Sequence, residues 1–277
     1  MIYFSMGYWV IGLALIVSAS GAACGLACIR QSTKSVTARF RLVWVFVAAA
    51  SIGGVGVAMP VFISMLGFEA KNGQLHYDTT MTTLFSALSG LTVMAALLIA
   101  GSKVNWIRLA VGALVMAGGI GSVHLLLLAG IRVQGSTDRS AVSIVAVYVI
   151  ALVLSALTLW FSLTARSVPV LLAGSIAYAV MVVGMHYAGL TGVEVHLDPS
   201  APTAKGQMLF DFFVPFFVIG SLSLAIPITA ILVAPDRREA RMAPAITNPE
   251  AAHSASLAVA SQNAAAQQGT RPVQSVR

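Results

Sequence analysis

Met181-Val182-Val183-Gly184-Met185-His186-Tyr187-Ala188-Gly189-Leu190 closes an apolar run that begins near residue 168. A helix of roughly 20 such residues crosses a hydrocarbon core of about 30 Å. The far end of this one sets a thioether, an imidazole and a phenol at a depth where polar side chains are expensive and usually functional. Two fainter echoes precede it at near-constant spacing. Gly121-Ser122-Val123-His124 ends 62 residues before His186, and Pro60-Val61-Phe62-Ile63-Ser64-Met65 lies a further 63 back. In so apolar a chain, that period places the same feature on every second membrane helix.

The composition agrees. Over 277 residues, 58% are hydrophobic and only 9% charged, with a mean hydropathy of +0.90. A soluble domain of this size needs far more charge to cover its surface. Seven stretches are long enough to span, near 6–28, 42–67, 79–100, 107–130, 141–164, 168–191 and 212–234. All are expected to be helical, because backbone groups in lipid must be satisfied within their own segment. The sequence therefore predicts an all-α, seven-helix polytopic membrane domain over 1–235. The tail over 236–277 is rich in Ala, Ser, Gln, Asn and Pro, lacks an apolar period, and is expected to be disordered and cytoplasmic. It offers no soluble catalytic domain. Nor is there a nucleophile–base arrangement, a phosphate-cradling glycine loop or a dinucleotide fingerprint, so a non-enzymatic role is expected.

The loops orient the bundle. One side carries Arg30, Lys34, Arg39, Arg41, Lys103, Arg108, Arg166 and five tail arginines, whereas the other carries Lys71, Arg132, Arg139 and Lys205. The richer side is cytoplasmic by the positive-inside rule, which puts the N-terminus outside and the C-terminus inside the plasma (inner) membrane. Glu69, Asp78, Asp138, Glu194, Asp198 and Asp211 fall on the outer side. The net charge of +7 is thus a topology signal, and no nucleic-acid partner is expected. Met1 to Tyr8 holds no basic residue, so a cleaved signal peptide is a poor reading of the N-terminus. Cys24 and Cys28 share one face of the first helix. Packing suits them better than a strained disulfide, and a thiolate metal site is the alternative.

Glycines recur in the second helix (Gly53, Gly54, Gly56) and the fourth (Gly112, Gly118, Gly119, Gly121), where they allow close backbone approach. Pro60 and Pro227 each leave a carbonyl without its usual donor about one turn back. The three motif copies lie on helices two, four and six, which all run from inside to outside. Equivalent residues at equal depth can then converge on one site near the outer face.

In helix number, orientation and motif placement the chain resembles the MHYT family, bacterial seven-helix membrane modules named for a Met-His-Tyr-Thr motif on alternate helices. The resemblance covers roughly residues 8–235. It includes Ser18-Ala19-Ser20 and Arg30 around the first helix and Tyr77-Asp78 before the third. The third motif departs by Ala188 for Thr and Leu190 for Met. The second keeps His124, with Val123, Leu125 and Leu128 where Met, Tyr and Met are usual. The first keeps Phe62 and Met65 but has Pro60 and Val61 in place of Met and His, and Ala58 where Trp is common.

That resemblance implies a sensor in which motif histidines and methionines hold a metal, copper by expectation, and detect a diatomic gas: oxygen, carbon monoxide or nitric oxide. Relatives join the module to cyclic-di-GMP enzymes or kinases, so a separate cytoplasmic signalling partner is expected to read the output here. Soft thioethers suit Cu(I), and imidazole suits either copper state. The candidate ligands are His124, His186, Met185 and Met65, with Met59 and Met181 nearby. His76 and His196 lie in outer loops beside the site, where solvated residues are the default.

Plainer readings stand beside this one. His124 could satisfy a carbonyl or hydroxyl on a neighbouring helix, Tyr187 sits at a depth where tyrosine is common, and methionine is ordinary membrane filler. The chain would then be a scaffold without a ligand. A copper-handling carrier is a further alternative. No ionisable residue lies in mid-helix, and the motif copies share one orientation, which argues against ion-coupled transport but leaves copper delivery open. The orientation is testable in intact cells. An Ala204→Cys variant should react with a membrane-impermeant maleimide from outside, and a Ser102→Cys variant only after lysis.

Overall fold

The computed structural model describes residues 2–35, 37–70, 74–165 and 167–233. The predicted tail over 236–277 lies outside the described residues. Seven helices are long and apolar enough to cross a membrane. These are α1 (Trp9–Lys34), α2 (Ala38–Met65), α3 (Thr79–Ala100), α4 (Trp106–Ala129), α5 (Ala141–Thr164), α6 (Val168–Leu190) and α7 (Leu209–Val233). The all-α, seven-helix architecture is as the hydropathy predicts. The ends differ most at α1, which runs six residues further than expected and carries Arg30 on its last turns.

Six helices pack as a closed ring. α1 touches α2 and α6, and the pairs α2–α3, α3–α4, α4–α5 and α5–α6 complete the circuit. Its interior is filled by Ile52 and Val57 of α2, Phe85 of α3, Met116 and Ile120 of α4, Leu154 of α5 and Val182 of α6, all essentially unexposed. α7 lies along the outside. Phe216 meets Phe62 of α2 at a ring-centroid distance of 5.0 Å, but most of its apolar side chains face outward.

Sequence explains where the helices start. Asp78 accepts the Thr80 and Met81 amides at 3.0 and 3.1 Å, capping α3, and Asn105 does the same for Ile107 and Arg108 of α4. The Met81 amide and the Arg132 guanidinium, 3.3 Å away, hold the Asp78 carboxyl below its ordinary range. On the opposite face, Arg108 donates to the carbonyls of Ile99 and Leu98, closing the end of α3.

α2 is not one continuous α-helix. Ala38–Ala49 is α-helical, Ala50–Ala58 winds as a π-helix, and Met59–Met65 returns to α. Pro60 has no N–H to give the Gly56 carbonyl one turn back. The Ser18 hydroxyl of α1 supplies the missing donor at 2.7 Å, and the Tyr178 hydroxyl of α6 donates to the Ile52 carbonyl at 3.1 Å. The expected proline defect is present, and neighbouring helices satisfy it.

The predicted outer loops are knitted together. Strand β1 (His76–Tyr77) pairs antiparallel with β2 (Ile131–Arg132), and β3 (Gly135–Arg139) pairs with β4 (Val193–Leu197). Further bridges join Ile2 to Glu69 and Tyr77 to Gln207. The result is a thin cap over one end of the ring.

Gly53 gives the close-packing argument a direct test. A Cβ there would lie 2.5 Å from the Ser89 carbonyl oxygen and 2.7 Å from Gly90 Cα, whereas one on adjacent Gly54 would meet nothing within 4 Å. Gly53→Leu should lower the thermal unfolding midpoint in detergent, by the equivalent of about 1–3 kcal/mol for an overpacked contact. Gly54→Leu should leave it nearly unchanged.

Candidate metal centre

The site grows from the inward faces of α4 and α6 near the capped end. On α6, Val182, Met185, His186 and Gly189 form one buried stripe at helical spacing. On α4, Ile120, Gly121, His124, Leu127 and Leu128 do the same. The two stripes bring His124 and His186 together, with ring centroids 5.3 Å apart and planes at 86°. Both side chains have 0% exposure. None of their four ring nitrogens has a hydrogen-bond partner among the described residues.

Gly189 makes the approach possible. A Cβ at that position would sit 2.9 Å from His124 Nε2 and 3.0 Å from Leu128 Cδ1. Phe85 of α3 packs against the far side of His124 at 6.5 Å, and Tyr187 lies 5.6 Å from His186. The Ser64 and Tyr187 hydroxyls are also buried, and they approach each other between α2 and α6. Buried polar atoms in native proteins are nearly always paired, and an exception calls for a reason such as a bound ion. Among the described residues, six of the eight such exceptions lie on α2, α4 and α6, the three helices that carry the motif copies, and the other two are Ser155 Oγ of α5 and His76 Nδ1.

The ring-to-ring distance matches that of two imidazoles on one ion. Imidazole nitrogen binds such ions at about 2 Å, so one ion between two rings sets their centroids about 5–6 Å apart. Met185 is wholly buried next to His186 on α6. Met65 is only 1% exposed and lines a cleft that also takes in Glu69, Tyr77 and Met208. The other two methionines turn elsewhere. Met59 reaches Gly220 of α7, and Met181 lines a small cavity with Ala22, Leu26 and Tyr178. No group of three or more His, Cys, Asp or Glu side chains converges among the described residues. An ion at this site would rest on two imidazoles with thioether or hydroxyl support.

The remaining candidates separate cleanly. His76 is half-buried in β1, with Nδ1 unpartnered. His196 is exposed on β4, its Nε2 3.6 Å from Asp138. Among the described residues, neither has a hydrogen bond, ion pair or ring contact with the buried pair. Cys24 and Cys28 are free, buried thiols, and Ser51 donates to Cys24 Sγ at 3.8 Å. Ser64 and Gly189 are the site residues that sequence reasoning missed. Both lie inside the motif copies, and that position was the available signal.

Among known proteins, the chain is similar to MucR of Pseudomonas aeruginosa, a bifunctional diguanylate cyclase/cyclic di-GMP phosphodiesterase, with 28% identity over 211 residues. The match covers 73% of this chain, which spans only 30% of that protein's length. An alignment of that extent falls largely on the membrane spans, which occupy residues 9–233. No family profile matches the chain, and no solved structure matches it. The fold defines a multi-pass membrane protein in a lipid bilayer.

The role of Gly189 can be checked against Gly184, five residues earlier, where a Cβ would meet nothing within 4 Å. Gly189→Val should displace the His124 ring, moving its imidazole NMR signals and destabilising the bundle by about 1–3 kcal/mol. Gly184→Ala should do neither.

Proposed function

We propose that the chain is a sensory membrane protein of the MHYT type, in which His124 and His186 hold copper near the outer ends of α4 and α6. The observation that carries this reading is the pair of wholly buried imidazoles that meet with every ring nitrogen unpartnered. In this reading Met185 adds a soft ligand, and Met65 and Ser64 contribute from the end of α2. Bound copper would supply a centre able to take a diatomic gas such as oxygen, carbon monoxide or nitric oxide, or to change redox state. The chain's own residues hold the imidazoles apart at a fixed distance. Phe85 and Leu128 keep the pocket dry, and the cap shields it from the outer medium.

Similarity to part of a protein that makes and degrades cyclic di-GMP supports a signalling setting. In this reading the module lies in the inner membrane with its N-terminus outside. A change at the metal alters packing among α2, α4 and α6, and a cytoplasmic signalling partner reads the inner loops. A copper-handling role is the second reading. It draws on the cleft where Met208 and Glu69 share a cavity with Met65.

Metal analysis by mass spectrometry decides the first point. Protein purified after copper-replete expression should carry copper that the His124→Ala/His186→Ala double variant lacks. Equal metal in both would overturn the proposal. Copper uptake into vesicles carrying the protein would favour the second reading.

A further inference from the structure

Between α2, α3 and α7 lies a cavity of about 270 Å³, open sideways toward the bilayer. Its lining includes Gly54 and Met59 of α2, Gly90 and Leu91 of α3, and Phe216 and Gly220 of α7. It offers almost nothing for water to bond. An engineered apolar cavity of about 150 Å³ stays dry and takes benzene or xenon, so this space is ample for a small apolar guest. It is far too small for a helix, whose diameter with side chains is about 10 Å.

The cavity stands close to the histidines. Phe216 on its wall meets Phe62 at 5.0 Å, and Phe62 meets Phe85 edge-on at 5.6 Å. Phe85 in turn faces His124 at 6.5 Å. Three successive ring contacts, through Phe216, Phe62 and Phe85, thus run from the wall of the bilayer-facing space to a histidine pair with no exposure to water. We propose that this cavity binds a small apolar molecule drawn from the bilayer and is the side entrance to the His124–His186 site. Its purpose rests on the sensory reading above, but its occupancy does not. Small apolar molecules concentrate in hydrocarbon, and a lateral opening takes them from there directly.

Two glycines make the cavity testable without disturbing the packing. A Cβ on Gly54 meets nothing within 4 Å, and one on Gly90 meets only the Ala49 carbonyl oxygen at 4.0 Å. Gly54→Leu and Gly90→Leu each fill the space from a different helix, so one covers for the other should it fold poorly.

Xenon is the probe. With copper-free protein in lipid nanodiscs, ¹²⁹Xe NMR should show a saturable site in the wild type that either leucine variant weakens at least tenfold. Xenon should also shift the ¹⁵N signals of the His124 ring in the wild type but not in the variants. Xenon binding that survives both substitutions would overturn the proposal, as would an acyl chain that occupies the cavity and excludes xenon. A protein that takes xenon here yet never holds copper would sink the sensory reading alone. One that holds copper but takes no xenon would sink the entrance alone.

Discussion

The Ser18 hydroxyl donates to the Gly56 carbonyl in a place where no water can stand in for it. Pro60 withdraws one donor from α2, and in hydrocarbon an unmatched carbonyl costs several kcal/mol. Ser18 and Tyr178 answer from either side, while the intervening segment widens to a π-helix. Those hydroxyls fix α2 against α1 and α6 at once. Glycine then lets the backbones close in, since a Cβ on Gly21 would lie 2.6 Å from the Gly56 amide nitrogen. The position of Ser64 and Met65 at the end of α2 follows from how that defect is accommodated.

The site works by a related logic. A histidine within a membrane bundle ordinarily spends its ring nitrogens on a carbonyl or a neighbouring hydroxyl. His124 and His186 face each other instead, edge to face, with aromatic and aliphatic side chains around them. Neutral imidazole is a good ligand in such surroundings, because no proton has to be displaced and no water competes. In the proposed copper site the Met185 thioether would add softness without adding charge, which suits a monovalent cation in a low-dielectric interior.

Hydropathy alone made the seven spans legible, because a run of twenty apolar residues has few other uses. The histidines were legible for the same reason, standing out against apolar neighbours. What the sequence hid was direction. Met59 and Met181 sit as close in sequence to the motifs as Met65 and Met185 do, but their places on the helix turn them toward α7 and α1. The hydroxyls were equally ambiguous. Ser89 and Ser175 bond to the carbonyl four residues back, as membrane serines commonly do, whereas Ser18 reaches across to another helix. The π-turn and the cap strands were beyond reach, since two-to-five-residue pairings between distant loops leave no periodic trace.

That cap has a mechanical meaning. β3 follows α4 and β4 follows α6, and five successive residue pairs join them, from Gly135 with Leu197 to Arg139 with Val193. Sliding one of these helices along its axis past the other would strip the whole ladder. The two helices that carry His124 and His186 are thus splinted at their ends like two fingers taped together. α2 has a different tie, because backbone hydrogen bonds join Glu69 to Ile2 and Ser5 to Gly67 just past its end. Of the three motif-bearing helices, α2 alone stands outside the ladder that joins the other two.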